Sequence, residues 1–188
     1  MKRLNSLFVI FVVLASIVAG AQQKTSNVPV NQLLDSWITN TENHVVPAAD
    51  AMPEGKYSFA PTAGDFAGVR TFAQQIKHLA ANNYRMAAYI LNQQPTPDQE
   101  SETGPDSVQS KVQIMDYLEG SFAALHKAVA TITERNLGEP LPTPSNWQTF
   151  AKTRLQLTVD AVAHSFNHYG QMVEYLRMNG IVPPDSRR

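Results

Sequence analysis

His164 and His168 stand four residues apart in the segment DAVAHSFNHYGQMVEYLRMNGIVPPD, residues 160–185. On a helix, residues at i and i+4 lie one above the other, so both imidazoles can reach one metal ion. His78 sits in a second segment of helical character. Three imidazoles from two packed helices, with a coordination position left over, describe a reactive metal site rather than a closed structural one.

The elements that must position these histidines are read from hydrophobic spacing. A first helix is predicted over about Asn31 to Val46, where Leu34, Trp37, Ile38, Thr41 and Val45 recur at steps of three and four. Pro47 is expected to end or kink it. The stretch MPEGKYSFAPTAGDFAG is rich in Pro and Gly and reads as a long connection. A second helix is predicted over about Val69 to Leu91, its apolar stripe Phe72, Ile76, Leu79, Met86 and Ile90 interrupted by Asn83. Residues 92–106 are polar and Pro-containing and read as a mobile loop.

The third helix carries the cleanest stripe: Met115, Leu118, Phe122, Leu125, Val129 and Ile132. Ser110 with Gln113 forms a capping-box pattern at its start. Ser145 with Gln148 is a second such pattern, opening a last helix that runs to about Met178. Asn179-Gly180 supplies the stop, and Pro183-Pro184 prevents resumption. Four helices, three links and no convincing strand predict an all-α, up-down four-helix bundle.

On the last helix, Leu157, Ala161, His164, His168, Met172 and Tyr175 share one stripe. Both histidines should therefore point inward, where an unsatisfied ring nitrogen is costly. Spacing alone leaves a metal pair and a pair of bonded core histidines equally good readings. His78 shares its face with Thr71, Gln74, Gln75, Asn82 and Arg85, and taken alone reads as solvent-exposed. The functional alternative is a polar strip facing a wet pocket, with Gln75 and Asn82 one turn to either side. His44 and His126 read as boundary or surface residues. A di-iron bundle is excluded, because neither histidine-bearing helix has Glu three residues before a histidine.

The first residues have a different character. Lys2 and Arg3, an apolar run from Leu7 to Val18, and Ala19-Gly20-Ala21 form the three-part pattern of a secretory signal peptide, with cleavage expected after Ala21. The apolar run is shorter than the roughly 20 residues that span a bilayer, so no stable membrane anchor is expected after cleavage. The predicted organisation is a signal peptide over 1–21, a short segment over 22–30, the bundle over 31–184 and a tail over 185–188. The protein is expected to be exported, either periplasmic or secreted. The chain has 188 residues, a net charge of −1 and no cysteine. It can form no disulfide, and any metal must be held by His, carboxylate or water. No basic stripe supports nucleic-acid binding.

Three segments carry a resemblance: Met52 to Thr62, Arg70 to Ala87, and His164 to Pro184. A mid-helix histidine, then His-x-x-x-His followed by Tyr-Gly-Gln and Tyr-Leu-Arg-x-Asn-Gly, resembles the DinB/YfiT-like superfamily over about Asn31 to Pro184. The resemblance implies an up-down four-helix bundle with an unusual connection and one divalent metal ion bound by three histidines. Carried over by position, those ligands are His78, His164 and His168. Zn or Ni is expected, since imidazole suits both.

Such an ion lowers the pKa of bound water, polarises a carbonyl or activates a thiolate. Gln171 and Tyr175 lie one and two turns beyond His168 and are pocket candidates, with core packing the better reading for Tyr175. Gln75 and Asn82 are candidates for supporting the ligands. Glu174 falls on another face, and no general base is identified. The expected function is metal-assisted hydrolysis of an unknown small molecule. The alternatives are a thiol-dependent transferase or isomerase, as the resemblance implies, and a non-catalytic metal- or ligand-binding module. Export argues against the thiol chemistry, since reduced small thiols are mainly cytosolic. A homodimer is compatible with the pattern.

Overall fold

A computed structural model describes residues 27–61, 68–142 and 152–187. It is all-helical: α1 (Val30–Ala51), α2 (Phe72–Ile90), α3 (Pro97–Glu100), α4 (Lys111–Val129) and α5 (Arg154–Met178). Single 3-10 turns occur at Glu54–Lys56 and Pro184–Ser186. Among the described residues the only β feature is one isolated bridge between Pro140 and Thr153. The four long helices form a bundle around Ile38, Phe72, Ile76, Leu79, Leu118, Phe122, Leu157 and Leu176.

The direction of the helices is not a simple alternation, which corrects the up-down order expected from sequence. Lys111 at the start of α4 donates to the carbonyls of Asp50 and Met52 at the end of α1. The backbone N–H of Ala73 donates to Tyr57 just after α1, so α2 also starts at that end. Asn179, just past α5, accepts from Lys56 at the same end. Hence α1 and α5 run one way while α2 and α4 run the other, an up-down-down-up order. Two consecutive long helices that run parallel require a connection that travels back along the bundle. Residues 91–110 are that connection, and they contain α3.

Other boundaries shift for local reasons. Pro47 lies inside α1 rather than at its end. It and Asn43, whose carbonyl loses its intrahelical donor, are both exposed, so water can serve that carbonyl. α2 begins at Phe72, three residues after the expected start, because Thr71 and Gln74 form a reciprocal capping box. The capping box at Ser110 and Gln113 is present as predicted. The pattern at Ser145 and Gln148, like the signal-peptide residues, lies outside the described residues. The described α5 instead starts with Thr153 as its cap, accepting from the backbone of Gln156.

α2 is buried on most of its surface, with 14 of its 19 residues buried. Alanines 80, 81, 87 and 88 let neighbours approach closely, and a polar side chain buried on this helix is costly without a partner. Asn83, which broke the apolar stripe, finds two. It donates to Ser121 on α4 and accepts from Ser165 on α5, so one side chain ties three helices.

Replacing Asn83 by Leu keeps the branched shape, adds some bulk and strands the Ser165 hydroxyl. It should lower stability by about 1–3 kcal/mol. Urea denaturation should show part of that loss recovered in the double variant Asn83→Leu, Ser165→Ala.

Candidate metal centre

The helix directions bring α2 and α5 face to face, running oppositely. Gln75 bonds to Gln171, His78 meets His164, and Asn83 meets Ser165. On α2 the polar positions 75, 78, 82 and 85 step by three and four. On α5 the positions 160, 164, 168 and 171 do the same. Two polar strips therefore face each other through an otherwise apolar bundle.

His78, His164 and His168 meet at the middle of these strips. One ring nitrogen from each lies within 4.8 Å of the other two. The Nε2 atom of His164 is 3.2 Å from Nε2 of His78 and 3.2 Å from Nε2 of His168. The rings are steeply inclined, with interplanar angles of 52° to 65° and centroids 4.5 to 5.1 Å apart. His78 and His168 are only 7 % and 6 % exposed. The exposed His78 suggested by its polar neighbours is thus corrected: that face is polar because it meets a second polar strip, not because it meets bulk solvent.

The opposite ring nitrogens show what those Nε2 atoms carry. His78 Nδ1 is 2.9 Å from the backbone oxygen of Glu102, which can only accept, so Nδ1 holds the proton. His168 Nδ1 donates to Gln75 Oε1 at 2.5 Å. Gln75 in turn donates to Gln171 Oε1, and Gln171 donates to Asn167. In neutral rings this leaves both Nε2 atoms bare and facing His164 Nε2. That nitrogen can offer one proton at most, so at least one 3.2 Å contact sets lone pair against lone pair. A shared cation relieves that repulsion. The pattern of Nε2 inward and Nδ1–H tied to an oxygen is the one seen around metal-ligating histidines.

Protonation is a poor substitute for the cation. Burial, reinforced by repulsion from His168, His78, Arg85 and Arg70, pushes His164 down to about 3. Burial, with repulsion from His78 and Arg70, pushes His168 down to about 4. Burial and Arg70 also lower His78, against a smaller opposing effect of Glu102. All three rings are therefore neutral at neutral pH, the state a metal needs.

Glu102 and Arg70 belong to the site, and sequence reasoning missed both. Glu102 lies in the loop read as mobile. The crossover carries it past α2, where its carbonyl takes His78 and its carboxylate takes Arg70 at 2.8 Å. Gly104 anchors this pass. Its φ is +69°, and an added Cβ would lie 2.8 Å from the Lys77 Cβ. The signal in sequence was Gly104 itself, two residues from an acid in a polar loop.

Gln75 accepts from His168 and donates to Gln171. Asn82 is buried, with its oxygen accepting from Arg85 at 2.7 Å. Tyr175 makes no hydrogen bond to the histidines. It packs against Phe59 and Phe72 and donates to the Arg70 carbonyl at 3.0 Å, so it acts on the site only by holding Arg70. Glu174 pairs with Arg177 at the surface. His44 and His126 lie elsewhere, His126 gripped by Asp35 at 2.6 Å and Glu42 at 3.0 Å. Among the described residues, the triad is the one group with the spacing to hold a metal ion.

Unfolded imidazoles titrate near 6.5. Folded His164 and His168 titrate far lower, so their contribution to the metal-free fold is complete above pH about 6.5 and is lost as acid approaches their folded values. His126, held up by its two carboxylates against the effect of burial, acts in the opposite sense: its contribution is present below 6.5 and lost as pH rises through its raised value. In a His126→Gln background, the urea midpoint of metal-free protein should fall steadily between pH about 6.5 and 4.5, above most carboxylate titrations. The fall should shrink in His164→Phe. A midpoint unchanged over that range would mean that the rings are not held neutral.

A family model for the DinB superfamily matches residues 38–172, from α1 to α5 and across all three histidines. No curated protein matches the chain.

Proposed function

The chain belongs to the DinB superfamily, and from that membership and the converging imidazoles we propose an exported metal-dependent hydrolase of a small molecule. His78, His164 and His168 hold one divalent ion, Zn or Ni. The observation that carries this reading is the meeting of three neutral rings through their bare Nε2 edges.

Bound there, a divalent ion supplies a Lewis-acidic centre that lowers the pKa of water and polarises a carbonyl. The chain's own groups do the rest. Glu102 and Gln75 hold two of the rings in the tautomer and orientation that a ligand needs. Three neutral imidazoles leave the ion's double charge uncompensated, which favours water deprotonation over a closed structural role. No cysteine is present to close the site, and no carboxylate joins the three ring nitrogens within coordinating distance among the described residues. Hydrolysis is preferred over thiol transfer because the first residues read as a secretory signal, and reduced small thiols are scarce outside the cytosol. None of the described helices is long and apolar enough to cross a membrane.

Metal content tests the reading. Protein purified without a histidine tag should carry about one Zn or Ni per chain by mass spectrometry. His78→Ala and His164→Ala should each lose it. Full occupancy in His78→Ala would mean that α2 contributes no ligand, and the reading would fail.

Gln75→Leu should leave the fold intact while weakening divalent-ion affinity about 10–100-fold, because His168 loses the acceptor that orients it. Competition with a chromophoric chelator measures this. An unchanged affinity would remove Gln75 from the site.

A further inference from the structure

One end of the facing strips is short of acceptors. Asn82 is 3 % exposed, and its amide nitrogen Nδ2 has no hydrogen-bond partner. The amide orientation is fixed by Arg85, whose Nη2 donates to Asn82 Oδ1 at 2.7 Å. A guanidinium only donates, so the oxygen must face Arg85 and the NH2 group must face elsewhere. His164 Nδ1, on the opposing strip, is likewise buried without a partner. When Nε2 faces a metal, Nδ1 carries the proton and becomes a second donor with no acceptor.

Charge points the same way. Arg85 and Arg70 both act electrostatically on His78 and His164. Against them stand Glu102, which is largely exposed and already paired with Arg70, and Asp160, whose carboxyl is pushed up by burial and drawn back down by Arg85. A divalent ion added here makes a positive, buried surrounding that holds two donors without acceptors. Cationic, donor-rich pockets select anionic oxygen ligands.

We propose that Asn82 and Arg85 form an oxyanion-binding subsite beside the three-histidine centre, and that the protein's small-molecule substrate carries a carboxylate or phosphate there. The inference rests on the metal-centre reading for the identity of the neighbouring ion, but Asn82 and Arg85 are in place without it. The amide N–H takes one anionic oxygen, and the Arg85 charge balances the group. The subsite thus fixes the substrate's orientation relative to the histidines without taking part in bond cleavage.

The test uses Co(II) as a coloured probe ion, with acetate and inorganic phosphate as probe anions, on the full chain. Visible absorption follows Co(II) uptake, and calorimetry follows anion binding with and without Co(II). The wild type should bind one of the two anions, and which one it prefers names the substrate group. Asn82→Leu should weaken that binding about tenfold or more, while Co(II) affinity stays within about twofold. Arg85→Lys, which keeps the charge, should fall between the two. Co(II) uptake with anion affinity unchanged in both variants would overturn the subsite and leave the metal centre standing. Failure to take up Co(II) would instead sink the metal centre. The subsite would then be supported by anion binding to metal-free protein that Asn82→Leu abolishes, and overturned by its absence.

Discussion

Two bare imidazole nitrogens held 3.2 Å from a third set the terms for this protein. Buried lone pairs that face each other are repulsive, and the surroundings forbid the simplest escape. Burial and two nearby guanidiniums keep protons off the rings. Three neutral rings placed in this way suit a cation, and the helices that carry them are held by apolar stripes that bury Phe72, Phe122 and a set of Ile and Leu side chains completely. An ion bound at the triad would add its binding energy to the stability of the fold.

The helix order explains why the site is where it is. Because α2 and α4 run parallel, the chain between them must travel back along the bundle. On that route it passes the outer edge of α2 and leaves the Glu102 carbonyl against His78. Gly104 allows the loop to lie against Lys77 at a distance that no side chain would permit. A loop that looks like mere polar linker thus fixes the tautomer of a candidate ligand. A simple alternating bundle would have needed only a short turn there and would have left His78 without that acceptor.

The two faces of α5 divide the work of stability and chemistry. Leu157, Ala161, Met172 and Leu176 enter the core, while Asp160, His164, His168 and Gln171 form the strip that meets α2. The strip is graded along its length. At one end, Gln75, Gln171 and Asn167 form a chain of donors and acceptors leading from His168 toward solvent. Toward the other, the Asn82 amide nitrogen and His164 Nδ1 are buried without hydrogen-bond partners.

Much of this was legible in residue spacing. Periodicity located the four long helices, the Ser110 capping box and the inward stripe of His164 and His168, because those features depend on residues three or four apart. Resemblance to the DinB/YfiT-like superfamily added His78, which spacing alone assigned to solvent. Local signals also misled: Pro47 was read as a stop, yet α1 continues through it because the freed carbonyl stays exposed to water. What sequence could not give was any relation between residues far apart in the chain. Glu102 reaching His78, Arg70 pairing with Glu102, and Gln75 orienting His168 across 93 positions follow from the direction of the helices. Amphipathic spacing shows which face of each helix is buried. The partner that covers that face is decided by helix order and by the path of the crossover, which no local pattern encodes.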